Sequence, residues 1–249
     1  MLIDKKKLKK SFDVHASRYD ENTFIQRKIL KKLLDYIGNI KDGSFEKKIK
    51  LLELGCGTAE FSNLLSKKIK FDEIHLVDIS DSMLNIAKRK VQHNNLSQQV
   101  IDFDYFNNFS SYDFIISNMA LHWSSSFEKL FKKITFYMKP GSFFIFSIPN
   151  SNSFDFFKQN KLNNLINSFP RHEVILKKLD KNFNCNFFEE IFYEEFDSPI
   201  DFLKKLKSIG AGISNNSINL KNLFRLRKLK NKETMNYNIS FYKIRKNNE

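Results

Sequence analysis

The chain has 249 residues, 42 Lys plus Arg against 28 Asp plus Glu, and a formal charge of +14. With 41% hydrophobic residues and 27 Phe it has the material for one folded domain and is excluded from the disordered class. Only two cysteines occur, Cys56 and Cys185, and the five histidines show no ligand spacing, so neither a disulfide framework nor a metal site is expected. Apolar runs such as 143–148 are too short to span a bilayer, and MLIDKKKLKKSFD has charge but no apolar stretch. A reduced, cytoplasmic, soluble protein is expected.

Residues 1–20 are basic and polar. Apolar residues at Phe24, Ile25, Ile29, Leu30, Leu33, Leu34 and Ile37 follow the helical period and predict a helix over 22–40. Gly38 and the Lys41-Asp42-Gly43-Ser44 cluster end it. Strands are predicted at 49–54, 74–77, 100–103, 112–117 and 142–148, alternating with helices at 60–68, 81–91 and 127–138. This alternation predicts an α/β fold, a Rossmann-like, doubly wound, mostly parallel sheet. Beyond Pro149 the alternation fails. Residues 150–182 read as mostly helical, 187–196 as a strand, 199–209 and 220–230 as helices, and 237–244 as a closing strand. The expected organisation is a single domain over 1–249: a helical cap at 1–45, a cofactor-binding core at 46–149, and substrate-side helices and closing strands at 150–249.

Seven glycines are few against an average usage of roughly 7%, so each surviving glycine is informative. The same compositional drift weakens the charge as a guide to partners, since Lys is then in part solvated filler. Two of the seven, Gly55 and Gly57, stand in LLELGCGTAEF, at the carboxyl end of the first predicted strand. Ligands of open α/β sheets sit beyond the strand ends, and glycines there let the backbone approach them. Asp78, 21 residues after Gly57, ends the second predicted strand, where a carboxylate can accept both hydroxyls of a ribose. A nicotinamide dinucleotide is disfavoured because position 60 holds Glu60 instead of the third glycine, beside a pyrophosphate. S-adenosylmethionine carries no phosphate, and Glu53 beside the loop suits its cationic groups. Asp102 could receive the adenine amino group, with Phe103 packing on the ring; Asp104 is its alternative.

LLELGCGTAEF, HLVDIS, IDFDYF, YDFIISNMALHW and MKPGSFFIFSIP, in that order, resemble the motifs of the class I S-adenosylmethionine-dependent methyltransferases. Within them, KKSFDVHASRYDENTFIQRKILKKLL, SNMALHW and the tail IDFLKKLKSIGAGISNNS…YNISFYKIRK resemble the malonyl-[acyl-carrier protein] O-methyltransferase family of biotin synthesis. The resemblance covers essentially the whole chain. It implies a seven-stranded sheet, an amino-terminal helical segment, and helical insertions after strand 5 and before the last strand. Ile79 and Asn118 join Glu53, Gly55, Cys56, Gly57, Asp78, Asp102 and Phe103 as the expected cofactor-binding set. Ala59 stands where a third loop glycine is usual, tolerable if its φ stays negative, and His122 where Gln is frequent.

The implied reaction is methylation of the free carboxylate of a malonyl thioester on acyl-carrier protein. A carboxylate is ionised at pH 7, so no general base is needed and catalysis is positional. Tyr19 and Trp123 are expected to line the methyl-transfer pocket. Arg18, Arg171, Arg225 and Arg227 are candidates to hold the substrate carboxylate, since Arg binds carboxylates bidentately. The Lys5–Lys10 run and the face around 225–230 would steer an acidic malonyl-carrier protein, with malonyl-coenzyme A as the alternative donor of the acyl group. His122 reads as a satisfied, semi-buried histidine and Cys56 as a small packing residue. Competing readings are a methyltransferase of another small acid or phenol-like ring, which would need a base, and a non-methylating hydroxylase or assembly-factor-like relative. The charge alone would suit nucleic acid, but no binding-module motif accompanies it, so no nucleic-acid partner is expected. The oligomeric state is left open.

Overall fold

The computed structural model describes residues 4–38, 48–212 and 220–248. Three helices open the chain: α1 (Lys5–His15), the short α2 (Tyr19–Asn22) and α3 (Phe24–Ile37). Strands and helices then alternate as β1 (Lys50–Leu54), α4 (Glu60–Leu65), β2 (Glu73–Asp78), α5 (Asp81–Lys90) and β3 (Leu96–Val100). They continue through β4 (Phe114–Asn118), α6 (Phe127–Tyr137) and β5 (Phe143–Pro149). Two short helices, α7 (Asp155–Gln159) and α8 (His172–Leu176), lead to β6 (Phe183–Phe196). Then α9 (Pro199–Ser208) and α10 (Leu220–Lys228) precede β7 (Glu233–Lys246).

Among the described residues the strands form one seven-stranded sheet in the order β3-β2-β1-β4-β5-β7-β6. The first five are parallel, and β7 runs antiparallel to both β5 and β6. The pleat divides each central strand between two cores. Leu51, Ile74, Leu76, Phe114, Ile116 and Ile145 face α3, α4 and α5. Leu52, Val77, Ile115, Phe144, Phe146 and Ile148 face α6. Strands covered on both faces read as near-continuous apolar runs, which is what IIS and FFIFSIP are. The doubly wound sheet is therefore as the alternation of strands and helices predicts.

Several boundaries differ from the sequence reading. The first twenty residues, basic and polar and expected within a helical cap but without element bounds, begin with α1, whose Asp4 cap accepts from the backbone N–H of Lys6 and Lys7. The third strand lies at Leu96–Val100 instead of 100–103, an exposed edge whose polar LSQQV carries no alternation to read. Residues 101–102 leave the sheet, and Phe103 starts a 3-10 turn. Residues 150–182 hold two five-residue helices and a 3-10 turn instead of a mostly helical stretch. The last two strands extend beyond the ranges read, to fourteen residues each, because they pair along their whole length. Helices α3 and α4 are shorter than read, and the Lys41–Ser44 turn lies outside the described residues.

Phe146 sits at the centre of this architecture, fully buried, stacked on Phe144 at 4.6 Å and on Tyr242 at 4.7 Å between ring centroids. Truncation there removes a large buried side chain from a layer that cannot collapse around the gap. Phe146→Ala should cost about 3–5 kcal/mol, read as a lower urea midpoint with an unchanged denaturant slope.

Candidate active site

The sheet order reverses between β1 and β4, so the connections leaving their carboxyl ends depart to opposite faces and leave a crevice. Gly55, directly after β1, has φ +62°, and a Cβ there would lie 2.5 Å from the Cβ of Ala120 beyond β4. The two strand ends approach so closely that glycine is required. Gly57 has φ +52°, and a Cβ on it would meet only Tyr19, at 3.9 Å. Between them, the backbone N–H of Cys56 donates to the carbonyl of Val77 at 3.1 Å. Ala59 has φ +57°, so the condition set from sequence, a negative φ, is not met. The turn into α4 demands the left-handed conformation, and Ala59 adopts it while its N–H donates to the Cys56 carbonyl at 2.8 Å.

Two buried carboxyls organise this turn. Asp78 accepts from the N–H of Gly57 and of Ser80, each at 2.8 Å, and so ties the loop after β1 to the loop after β2. Burial still pushes its pKa up to about 6, against the lowering effect of those donors. Glu53 accepts from the backbone N–H of Ser62 at 3.1 Å and from the Ser62 hydroxyl through the same oxygen. Burial pushes Glu53 up to about 8. Glu53 is thus a largely protonated group turned under α4, not the free anion that the sequence reading places beside the loop.

A cavity of about 480 Å³ opens at these strand ends, and all eleven residues expected from sequence line it. Glu53, Gly55, Cys56 and Gly57 come from β1 and its loop, Asp78 and Ile79 from the end of β2, and Asp102 and Phe103 from the turn after β3. Asn118 ends β4 and accepts from the Ser147 hydroxyl at 2.7 Å. Trp123 is both wall and core, 7% exposed and edge-on to Phe12 at 5.9 Å. Tyr19 closes the near side. Of the two candidate carboxylates after β3, Asp102 reaches the cavity, whereas Asp104 is held by Ser124, Ser125 and Lys5.

The amino-terminal helices roof the cavity. Lys5 reaches inward to Asp102 at 2.9 Å and Asp104 at 3.0 Å and is 5.3 Å from the Phe103 ring centre. Lys5 is therefore an internal tether, not part of a free basic run. Asp20 accepts from Thr58 at 2.7 Å and pairs with Lys90 at 2.6 Å, pinning α2 to the loop. Asp13 accepts from the Ser80 hydroxyl at 2.6 Å and pins α1.

Arg18, Arg171, Arg225 and Arg227 do not line this cavity; Arg27 and Lys207 do, and sequence reasoning missed both. Gln26, also missed, lines it with a buried amide oxygen that has no hydrogen-bond partner among the described residues. The buried Nδ1 of His122 likewise has none among them, which differs from the expectation of a satisfied histidine. Burial alone pushes His122 down to about 3, so the ring is neutral. Tyr19 is pushed up by burial and by Asp78 and Asp20, so its phenol keeps its proton. The Cys56 thiol is pushed well up by burial, Asp78 and Glu53, consistent with packing, not nucleophilic attack. Among the described residues no group of His, Cys, Asp and Glu could hold a metal ion, and no helix is long and apolar enough to cross a membrane.

Residues 19–188 match a family model described as a methyltransferase domain. A malonyl-[acyl-carrier protein] O-methyltransferase 2 of Ilyobacter polytropus is 31% identical over 218 residues, 84% of this chain and 82% of that one. The chain belongs to the malonyl-[acyl-carrier protein] O-methyltransferase family. A second member, from Priestia megaterium, is 28% identical over 233 residues, covering 86% of this chain and 84% of its own. Among solved structures, the N-methyltransferase NodS of Bradyrhizobium japonicum, in complex with S-adenosyl-L-homocysteine, shares the fold with a TM-score of 0.55. It is 12% identical, covering 98% of this chain and 100% of its own. The protein is an S-adenosylmethionine-dependent methyltransferase.

Glu53 gives this methyltransferase a testable pH signature. Its folded pKa, about 8, lies above the ordinary 4.5, so the folded state holds a proton that the unfolded chain releases. Stability from this group is therefore greatest at low pH and is lost as pH rises toward 8. In Glu53→Gln the amide oxygen can keep both Ser62 hydrogen bonds, since one Glu53 oxygen accepts both. The variant should be the more stable by a margin that widens from pH 5 to pH 8 and is flat above, reaching on the order of 2–4 kcal/mol. Thermal melts across that range check it.

Proposed function

We propose that the chain transfers the methyl group of S-adenosylmethionine to the free carboxylate of a malonyl thioester carried by an acyl-carrier protein, an early step of biotin synthesis. The cofactor's sulfonium makes that methyl electrophilic. Gly55, Cys56 and Gly57 would cradle it, Asp78 would accept the ribose hydroxyls, and Asp102, Ile79 and Phe103 would hold the adenine. The fit is supported by the open space in front of Gly57, which a side chain would fill, and by Asp78, which keeps acceptor capacity beyond its two backbone donors. Asp102 is paired with Lys5, so admitting the adenine amino group there requires Lys5 to shift toward Asp104.

The observation that carries the choice of acceptor is that, among the described residues, every carboxyl lining the cavity already has a partner. Asp20 is engaged by Thr58 and Lys90, Glu60 by Lys90, Glu53 by Ser62 and Asp102 by Lys5, while Asp78 holds Gly57 and Ser80 and, on this reading, spends its remaining acceptor capacity on the ribose. His122, at about 3, is too weak a base to take a hydroxyl proton at neutral pH. A phenol or alcohol would find nothing to ionise it, whereas a malonyl carboxylate arrives ionised. Donors suit it: the protonated Tyr19 hydroxyl, the neutral His122 ring, the Gln26 amide and the Arg27 guanidinium all line the wall. Apolar neighbours Phe154, Phe169 and Trp123 would limit water around the reacting oxygen. Masking the carboxylate as an ester removes the charge that an apolar chain-elongating enzyme would reject.

For the partner, the names of the relatives and the net charge of +14 support an acidic carrier protein. α10 is the better docking candidate, since it presents Arg225, Arg227 and Lys228 beside exposed Leu220 and Phe224.

Incubating the purified protein and S-adenosylmethionine with malonyl-carrier protein should add one methyl by mass spectrometry, with none on acetyl-carrier protein. Absence of methylation, with cofactor binding intact by calorimetry, would sink this reading. Tyr19→Phe removes one hydrogen bond to a charged acceptor and should lower kcat/KM for the malonyl substrate about 10–100-fold, with cofactor affinity changed little.

A further inference from the structure

A second hollow, lined by Asn150, Asn152, Asn163, Asn164, Arg171 and His172 among others, adjoins the active-site cavity. The two share Ile166, Asn167 and Phe169 as a common wall. Their linings differ in kind. Beyond the shared residues, the active-site cavity is bounded on this side by Phe154, Leu165 and Pro149, whereas the hollow is walled by side-chain amides and hydroxyls, including Ser151 and Ser153.

The proposed substrate has the same division. Its malonyl end must enter the closed cavity, while its other end stays attached to a folded protein. The connector between them is a chain of amides that ends in a phosphate. Such a connector gains little on apolar surface, because each amide left without a partner carries a desolvation cost. Resting on that reading, we propose that the Asn-rich hollow is the site for the amide-and-phosphate arm of the carrier-bound substrate, with Arg171 taking the phosphate.

Three features of the hollow support this. The side-chain amides of Asn152 and Asn163 make no hydrogen bond among the described residues, so their donors and acceptors face outward uncommitted. The buried Nε2 of His172 is unpartnered although its Nδ1 is engaged by the Tyr242 hydroxyl. Arg171 is exposed and has no ion pair among the described residues, whereas the neighbouring cation, Lys158, is engaged by Ser151 and Asp155. Two carboxylates also border the hollow. Glu189 accepts from Asn150 and from Ser240, at 2.9 Å for the latter, and Glu173 stands two residues from Arg171. The position is therefore suited to one phosphate at Arg171, not to a broadly anionic ligand.

The test compares three substrates on the intact protein: malonyl-phosphopantetheine, malonyl-pantetheine and malonyl-N-acetylcysteamine, which lose first the phosphate and then one amide. Wild type should prefer them in that order by kcat/KM. Arg171→Ala should erase most of the preference for the phosphorylated over the dephosphorylated arm, a loss of about tenfold in that ratio. Asn163→Leu should shrink the preference for malonyl-pantetheine over the shortest thioester by a similar factor. Ratios that do not move in either variant, or that move identically in both, would place the arm elsewhere and overturn the inference. Failure of wild type to methylate any of the three would instead overturn the malonyl reading, and the inference with it.

Discussion

The Asp78 carboxylate is the constraint on which the carboxyl edge of this sheet depends. One oxygen receives the Gly57 N–H and the other the Ser80 N–H, so a single buried group closes two strand-to-helix turns at once. A carboxylate at that depth is costly, which is why burial outweighs both donors and holds its pKa near 6. The cost is local and the return is geometric. With both loops fixed, Gly55 can pass against Ala120, α4 can start from a left-handed Ala59, and the crevice between β1 and β4 has defined walls. Such a stored penalty is common where a site is shaped before its ligand arrives.

The roof over that crevice is held differently from its floor. α3 buries Ile25, Ile29, Leu30, Leu33, Leu34 and Ile37 in the same core as β1 and β4, so it moves only if that core opens. α1 fully buries only Leu8, packs a partly buried Phe12 against Trp123, and is further fastened by polar tethers at Lys5 and Asp13. Partly exposed ion pairs of this kind contribute little, on the order of 1 kcal/mol or less each. The roof is thus held by two kinds of fastening: a helix anchored along its whole apolar face beside one that rests on Leu8, Phe12 and a few polar tethers.

Much of this was legible in the sequence, for identifiable reasons. Strands buried on both faces, such as FFIFSIP, announce themselves by apolar content, and Gly55, Gly57 and Asp78 announce themselves by spacing in a chain short of glycine. All three line the cavity, as do Tyr19, Cys56, Ile79 and Asn118, whereas none of Arg18, Arg171, Arg225 and Arg227 does. What was hidden depends on neighbours distant in sequence. β3 is an exposed edge that takes its register from β2, and Lys5 of α1 turns inward to meet Asp102, 97 residues away in the chain. Likewise Gln26 and Arg27 lie between the apolar positions of α3 and read as an ordinary solvated face, because nothing local shows that this face borders the cavity. His122 differs from expectation because a semi-buried ring is usually satisfied, and nothing local shows that its Nδ1 meets no partner among the described residues.

The same unpartnered groups bear on why the site would favour one acceptor over another. A cavity lined by bases selects acceptors by making them reactive; a cavity lined by committed carboxylates and neutral donors can select only what is reactive on arrival. His122 at about 3 and a Tyr19 that keeps its proton place this site in the second class. Discrimination then rests on unmet hydrogen bonds. An acceptor with no oxygen to offer leaves the buried His122 ring nitrogen, in the tautomer that carries its proton on Nδ1, unsatisfied at a cost of about 1–3 kcal/mol. A malonyl group brings a carboxylate and a thioester carbonyl, and acetyl brings only the carbonyl. The selectivity of such a site against acetyl thioesters follows from what the wall lacks as much as from what it holds.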